Sequence, residues 1–124
     1  MGYLLVFLGG GLGSALRHGV NAVTARLWIT QYPVATLCVN VLGSFAMGAL
    51  VEYLGMKSGL SQQLRLFLAT GVLGGFTTFS TFSLEIAALG SRGEMVWAGL
   101  YVLASLVLGV AGIYAGMALV RWTA

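Results

Sequence analysis

The chain is organised into four long apolar segments separated by short polar connections. We place helices over them at about residues 3–28, 34–54, 62–90 and 95–121, within a single domain that spans 1–124. Each segment reaches the ~20 residues that a helix needs to cross the hydrocarbon core of a bilayer. In lipid, a helix is the only open-ended structure that satisfies its own backbone hydrogen bonds. The pattern therefore predicts an all-α integral membrane protein with four transmembrane helices.

The third segment carries an unusual polar run at its centre. Gly74 and Gly75 are followed by FTTFSTFS at 76–83, which contains five hydroxyl side chains. A glycine pair followed by β-branched and hydroxyl residues disfavours a regular helix. Irregular backbone at membrane depth is tolerated only where it is buried in protein or lines a wet cavity. We therefore expect the third helix to be broken at its centre, with carbonyls and hydroxyls facing inward.

Two phenylalanines in this run are candidates for anion contact. Phe79 and Phe82 are three positions apart, so both rings can point the same way from a helix. The edge of a phenyl ring is positive, so it can hold an anion without a full positive charge nearby. Ordinary core packing is the alternative for two such rings. The flanking hydroxyls favour the interpretation as a site.

The other segments contribute a few isolated polar residues, which are costly in a membrane and so mark candidate sites. Asn40 could bind a ligand or join two helices by hydrogen bonds, and its position leaves both open. Tyr101 and Ser105 share one face of the fourth helix. Arg17 is the deepest basic residue, and we expect it to face a watery vestibule. Glu85 is expected to reach towards the interface.

Composition excludes several classes of function. Of the 124 residues 59% are hydrophobic and 7% charged, whereas roughly a quarter of the residues of a soluble domain are charged. The net charge of +3 comes from scattered basic residues, so no nucleic-acid partner is expected. Cys38 is the only cysteine, which excludes an intrachain disulfide. The chain lacks catalytic triads, paired deep carboxylates and phosphate loops in a suitable context, so we predict that it is not an enzyme. No cleavable signal peptide is predicted.

The basic residues give almost no preference for one orientation in the membrane. With four crossings, Lys57, Arg65 and Arg121 share one side, while Arg26 and Arg92 lie on the other. Orientation normally follows the Lys and Arg bias. The near tie is either noise in a small protein or a sign that both orientations insert. Insertion in both orientations would permit an antiparallel dimer.

Four stretches of the sequence together resemble one family. They are GLGSALR at 11–17, TLCVNVLG at 36–43, GVLGGFTTFSTFSLE at 71–85, and the pair Tyr101 and Ser105. Over essentially its full length the chain is similar to the small bacterial fluoride channel family, Fluc, also called CrcB. The resemblance implies a multi-pass protein of the bacterial inner membrane that moves fluoride passively and lowers cytoplasmic fluoride. It also implies an antiparallel, dual-topology homodimer with two separate fluoride pathways.

The resemblance further assigns roles to particular residues. It implies that fluoride is hydrogen-bonded by Asn40, Ser80, Thr81, Tyr101 and Ser105. Phe79 and Phe82 would supply ring edges along the pathway, and Arg17 would lie near a vestibule. The carbonyls of Gly74 and Thr77 would bind a structural sodium ion at the dimer centre, which is not transported.

Two other classes of function are compatible with four small helices. The first is a dual-topology, proton-coupled exporter of the multidrug resistance type, which needs a carboxylate deep in the membrane. Glu52, Glu85 and Glu94 all lie towards segment ends, which disfavours this interpretation. The second is a non-transporting assembly subunit, which does not explain the hydroxyl-rich break in the third segment.

Overall fold

The described part of the protein is helical throughout its long segments. The computed structural model describes residues 1–28, 30, 32–57 and 61–123. Its helices are α1 at Gly2–Leu27, α2 at Val34–Met56, α3 at 62–76, α4 at Phe79–Ser91 and α5 at Met95–Thr123. Together α3 and α4 form the predicted third segment. The predicted all-α class is confirmed, while residues 58–60 of the second connection lie outside the described residues.

Local sequence signals set the ends of two helices. Pro33 immediately precedes α2, where the missing N–H of a proline has no helical partner to lose. After α4, Gly93 has a φ of 78°, in the left-handed region that favours glycine. Its N–H bonds the Gly90 carbonyl at 3.1 Å, and the Glu94 N–H bonds the Leu89 carbonyl at 2.9 Å. This Schellman pattern ends α4 and turns the chain directly into α5.

Among the described residues, three helical segments are long and apolar enough to cross a membrane: Val34–Met56, Gln62–Ser91 and Met95–Thr123. The 26 residues of α1 have the required length as well. Its mean hydropathy is lowered by Arg17, His18 and six glycines. The structure thus supports several membrane crossings, and the fourth crossing, by α1, stays a prediction.

Glycines hold the helices together in two tight pairs, α1 with α3 and α2 with α5. A Cβ at Gly13 would overlap the Val72 carbonyl oxygen, and one at Gly116 would overlap the Phe45 carbonyl oxygen. Only glycine allows backbones to approach this closely, and such packing replaces a hydrophobic driving force in lipid. Further glycines in these contacts are Gly9, Gly48, Gly75 and Gly112.

Few side chains are buried within one chain. Val39 and Leu89 are fully buried, and Leu89 forms a small core with Ala98 and Tyr101 where α4 meets α5. Most large apolar side chains instead lie on the outside, including Phe7, which is 75% exposed. An outer surface this apolar is suited to lipid or to a second copy of the chain.

Candidate functional site

The predicted break separates α3 from α4. Thr77 has φ −83° and ψ 158°, and Thr78 has φ −148° and ψ 123°, so both residues are extended. The preceding residues Leu66–Leu73 are π-helical, a widening that the sequence did not predict. The break lies near the middle of the span Gln62–Ser91. Extended backbone in the middle of a membrane span needs partners from elsewhere in the protein.

Asn40 of α2 supplies these partners to Thr78. Its Oδ1 accepts from the Thr78 N–H at 2.8 Å, and its Nδ2 donates to the Thr78 carbonyl at 3.0 Å. The close approach of α2 depends on Gly43, where a Cβ would overlap the Thr77 methyl group. Of the two roles left open by the sequence, the structure shows helix joining. An amide nitrogen carries two N–H groups, so a second donor remains for another partner.

Hydroxyl groups reorganise the backbone hydrogen bonds around the break. Thr78 Oγ1 accepts from the Thr81 N–H at 3.2 Å, which caps the N-terminus of α4, and lies 3.5 Å from Ser80 Oγ. In a continuous helix the N–H groups of Thr78 and Thr81 would donate to the carbonyls of Gly74 and Thr77. Both N–H groups donate elsewhere here, so these two carbonyls lose their usual helical partners.

Arg17 contacts the end of α3 directly. Its Nε donates to the Gly75 carbonyl at 3.2 Å, and Ser14 Oγ donates to the same oxygen at 3.4 Å. A cation beside the last carbonyls of a helix is favourable because the helix dipole is negative there. The sequence interpretation placed Arg17 only at a watery vestibule. It missed this contact, in which the half-buried side chain stabilises the broken end of α3.

Three aromatic rings lead from the surface into the small core. The centroids of Phe79 and Phe82 are 5.7 Å apart, as their spacing predicted. Phe82 also meets Tyr101 edge-on, with centroids 5.0 Å apart and planes at 66°. Phe79 is 78% exposed, Phe82 is half-buried and Tyr101 is buried. The three rings therefore contact one another in succession, from exposed Phe79 through Phe82 to buried Tyr101.

The hydroxyl of Tyr101 donates to Glu85 Oε1 at 3.0 Å, and Tyr101 also interacts with the side chain of Thr36. That Glu85 reaches towards the interface stays a prediction; the structure adds a contact that the sequence did not predict, in which this half-buried carboxylate accepts a hydrogen bond from a tyrosine of the neighbouring helix. Sequence reasoning also missed Thr36, which is buried. A signal for the pair existed, since Glu85 and Tyr101 each lie eight positions from Gly93, the centre of the tight turn.

Ser105 lies one helical turn beyond Tyr101. Its Oγ is buried and has no hydrogen-bond partner among the described residues. A buried hydroxyl without a partner is uncommon, because desolvation is not repaid by a bond. This position therefore has both a donor and an acceptor available for another group.

The break opens into a pocket of about 220 Å³ lined by Asn40, Ser44, Thr77, Thr78 and Phe79. Of the predicted site residues, Asn40, Phe79 and the Thr77 backbone meet there, with Ser80 and Thr81 following on α4. Tyr101 and Ser105 lie apart from it on α5, linked through Phe82. Within the described residues no group of His, Cys, Asp or Glu could hold a metal ion. A cation bound at the break would depend on carbonyl and hydroxyl oxygens.

Comparison with known proteins matches this sequence to one family. Residues 4–117 match the family model described as CrcB-like protein, Camphor Resistance (CrcB). The chain is 54% identical over 121 residues to the fluoride-specific ion channel FluC of Rhodopseudomonas palustris strain BisB5, covering 98% of each protein. It is 53% identical over 121 residues to FluC 2 of Nitrobacter hamburgensis, again covering 98% of each. It is 55% identical over 120 residues to FluC of Beijerinckia indica, covering 95% of this chain and 94% of that protein.

The apolar helices, the broken span and these relatives define a multi-pass bacterial membrane protein. The chain belongs to the CrcB family, and the resemblance seen in the sequence is confirmed.

Proposed function

We propose that this protein is a fluoride-selective channel that moves fluoride passively across the bacterial inner membrane and lowers cytoplasmic fluoride. The observation that carries the proposal is the break in the third span, which Asn40 holds open beside a polar pocket. Backbone of this kind at membrane depth lines a cavity or is buried in protein. Relatives that are at least 53% identical over nearly the whole chain are named fluoride-specific channels.

The chemistry of the site suits a small, strongly hydrated anion. Conduction requires donors that replace the hydration shell but do not hold the ion permanently. The second N–H of Asn40 and the hydroxyls of Ser80 and Thr81 can do this without a fixed charge. Ser105 Oγ, buried and unpartnered among the described residues, provides a further donor. Tyr101 donates to Glu85 in the structure, so it would reach fluoride by exchanging that partner.

The aromatic rings and Arg17 would complete the pathway. Phe79 and Phe82 would present positive edges to the ion. Arg17, fixed at the Gly75 carbonyl, would add positive potential close to the break without touching the ion.

The assay that tests this function is efflux from liposomes loaded with potassium fluoride, followed with a fluoride electrode after valinomycin is added. We expect rapid efflux that needs no pH gradient, compared with protein-free liposomes. Efflux that requires an imposed proton gradient would instead support the proton-coupled exporter, for which half-buried Glu85 is the candidate carboxylate. Absence of fluoride flux in both conditions would favour the remaining interpretation, a non-transporting assembly subunit.

One chain leaves the pathway open on one side, because Phe79 lies 78% exposed next to the break. We propose that a second, antiparallel copy covers it, giving a homodimer with two pathways. The nearly even distribution of basic residues supports insertion in both orientations.

Labelling from one side of the membrane tests dual topology. In a Cys38→Ser variant with one cysteine added at the C-terminus, an impermeant reagent should modify about half of the molecules. This is expected because the numbers of basic residues on the two sides of the membrane are nearly equal. If the C-terminal cysteine in intact cells were labelled in all molecules or in none, insertion in both orientations would be contradicted.

We also propose that a structural sodium ion lies between the two copies. The carbonyls of Gly74 and Thr77 fit this ion, because hard oxygen ligands suit it and both have lost their helical N–H donors. Two copies would provide four such oxygens. When bound, the ion would supply a positive charge that favours anions nearby.

Replacement of sodium by a bulky organic cation should lower the thermal stability of the purified dimer and its fluoride flux. Unchanged stability and flux, with no ion density between the paired carbonyls, would remove the sodium from the proposal.

A further inference from the structure

A pocket of about 470 Å³ opens between the ends of α2 and α5, separate from the pocket at the break. The residues that line it are Tyr53, Met56, Lys57, Val120 and Thr123. Helix α2 ends at Met56 and α5 extends to Thr123, so the pocket lies where both helices reach the membrane surface. Trp122, in the last turn of α5, is 90% exposed. Tryptophan and tyrosine concentrate at the membrane interface, which places the pocket at the depth of the lipid headgroups.

Lys57 is the only charged side chain among the described residues that line this pocket. Its Nζ lies 5.9 Å from the centroid of the Tyr53 ring, within the range of a cation–π contact. Glu52, the acidic residue nearest to it in sequence, is already used. Its Oε1 accepts from Arg121 Nε at 2.7 Å, and its Oε2 accepts from Arg121 Nη2 at 3.2 Å. Lys57 forms no ion pair within the described residues, so its charge is uncompensated.

The other walls of the pocket are suited to hydrocarbon. Tyr53 is 48% exposed and Met56 is 50% exposed, so both side chains face outward as well as into the pocket. Val120 adds an apolar wall on α5. Both helices present their C-terminal ends here, and the negative ends of their dipoles disfavour an anion. A negatively charged group would therefore depend on Lys57 for its binding.

We propose that this pocket binds an anionic phospholipid, with the phosphate against Lys57 and the acyl chains along the apolar walls. A soluble phosphate would leave those walls in contact with water, and a neutral lipid would leave the charge of Lys57 uncompensated. One basic residue near the membrane surface favours an anionic over a neutral lipid by about 5-fold. The proposal does not depend on the channel function above.

The test is fluorescence quenching in liposomes by phosphatidylglycerol or phosphatidylcholine that is brominated near the top of one acyl chain. A full-length reporter protein has its single tryptophan in the pocket wall, through the changes Tyr53→Trp, Trp28→Phe, Trp97→Phe and Trp122→Phe. The new indole keeps the contact with Lys57, because tryptophan is the best aromatic partner of a cation. At equal small fractions of brominated lipid, we expect phosphatidylglycerol to occupy the pocket about 5-fold more than phosphatidylcholine.

Three further measurements on the reporter identify what the pocket recognises. Lys57→Gln should abolish the preference for phosphatidylglycerol, whereas Lys57→Arg should keep it. Arg65→Gln is the matched control, because Arg65 is an exposed basic residue of α3 that does not line the pocket. It should leave the preference unchanged. Inorganic phosphate should not reduce quenching by brominated phosphatidylglycerol, since it has no hydrocarbon to place against the walls.

The opposite results would overturn the proposal. Equal quenching by the two lipids, or a preference that survives Lys57→Gln, would refute recognition of an anionic lipid by Lys57. An equal loss in Arg65→Gln would show general attraction to a basic surface. Relief of quenching by inorganic phosphate would show a site for a soluble anion. Absence of quenching by either lipid would show that something else, such as a second copy of the chain, covers the pocket.

Thermal unfolding of the parent protein in detergent gives a second test, which also applies if the reporter does not fold. A ligand that binds the native state raises the melting temperature. Phosphatidylglycerol should therefore raise that of the parent more than phosphatidylcholine does, and Lys57→Gln should remove the difference. A parent that responds equally to both lipids would refute the site. Neither measurement involves fluoride, so failure of the lipid site and failure of the channel function are distinguishable.

Discussion

Replacing Phe82 with isoleucine should reduce fluoride flux at least ~10-fold while the protein still purifies as the parent does. Isoleucine keeps most of the bulk and the apolar character, and near volume-conserving swaps cost less than about 1.5 kcal/mol of stability. It removes the edge contact with Tyr101 and the positive ring edge that we propose contacts fluoride. Liposome efflux measures the loss.

Phe7→Ile is the matched control for this change. Phe7 lies on α1 and is 75% exposed, outside the succession of three rings. The Phe7→Ile protein should conduct fluoride at the rate of the parent. Normal flux in Phe82→Ile would show that Phe82 serves packing of the α4–α5 core alone.

A second large effect is expected from Asn40→Asp, which should nearly abolish flux. Aspartate can still accept from the Thr78 N–H, but the ionised form cannot donate to the Thr78 carbonyl and repels anions. The protonated form has one donor, and bonding to Thr78 leaves none for the ion. A buried carbonyl that loses its donor costs about 1–3 kcal/mol. The Thr78 carbonyl is part-buried, so thermal stability should fall by less than this.

Asn21→Asp makes the same chemical change on the exposed side of α1 and should leave both flux and stability near those of the parent. If Asn40→Asp unfolds, flux cannot report on the ion, but the fall in stability still tests the Asn40 contact. An Asn40→Asp protein with the stability and the flux of the parent would contradict both roles assigned to Asn40.

Features that depend on local sequence could be predicted. The break follows from Gly74-Gly75 and the hydroxyl-rich run, because these residues lower helix propensity wherever they occur. The close contact of Phe79 with Phe82 follows from their spacing on one helix. The turn at Gly93 could be predicted because a glycine follows the end of a long apolar segment.

Contacts between distant positions could not be predicted in the same way. Asn40 is 38 positions from Thr78, and Arg17 is 58 positions from Gly75. Helical periodicity shows which way each side chain points within its own helix, but it contains no information about which neighbour it meets. The sequence marked Asn40 and Arg17 as costly in lipid, and only the packing of the helices showed how their polar groups are used.

The contact between Glu85 and Tyr101 was missed for a different reason. A carboxylate near the end of a membrane helix usually extends to the interface, and that general expectation was applied to it. The tight turn at Gly93 brings Tyr101 level with Glu85, and the phenol provides a donor at 3.0 Å. A nearby donor of this kind makes the half-buried position favourable.

The contact between Asn40 and Thr78 also bears on how the protein is made. Synthesis proceeds from the N-terminus, so α2 leaves the ribosome before the span 62–91 that contains the break. The amide of Asn40 is therefore already present when the extended residues Thr77 and Thr78 arrive in the bilayer. Because of this chain order, the extended segment enters the membrane beside the side chain that hydrogen-bonds to it. Its peptide groups are therefore not left in lipid without partners.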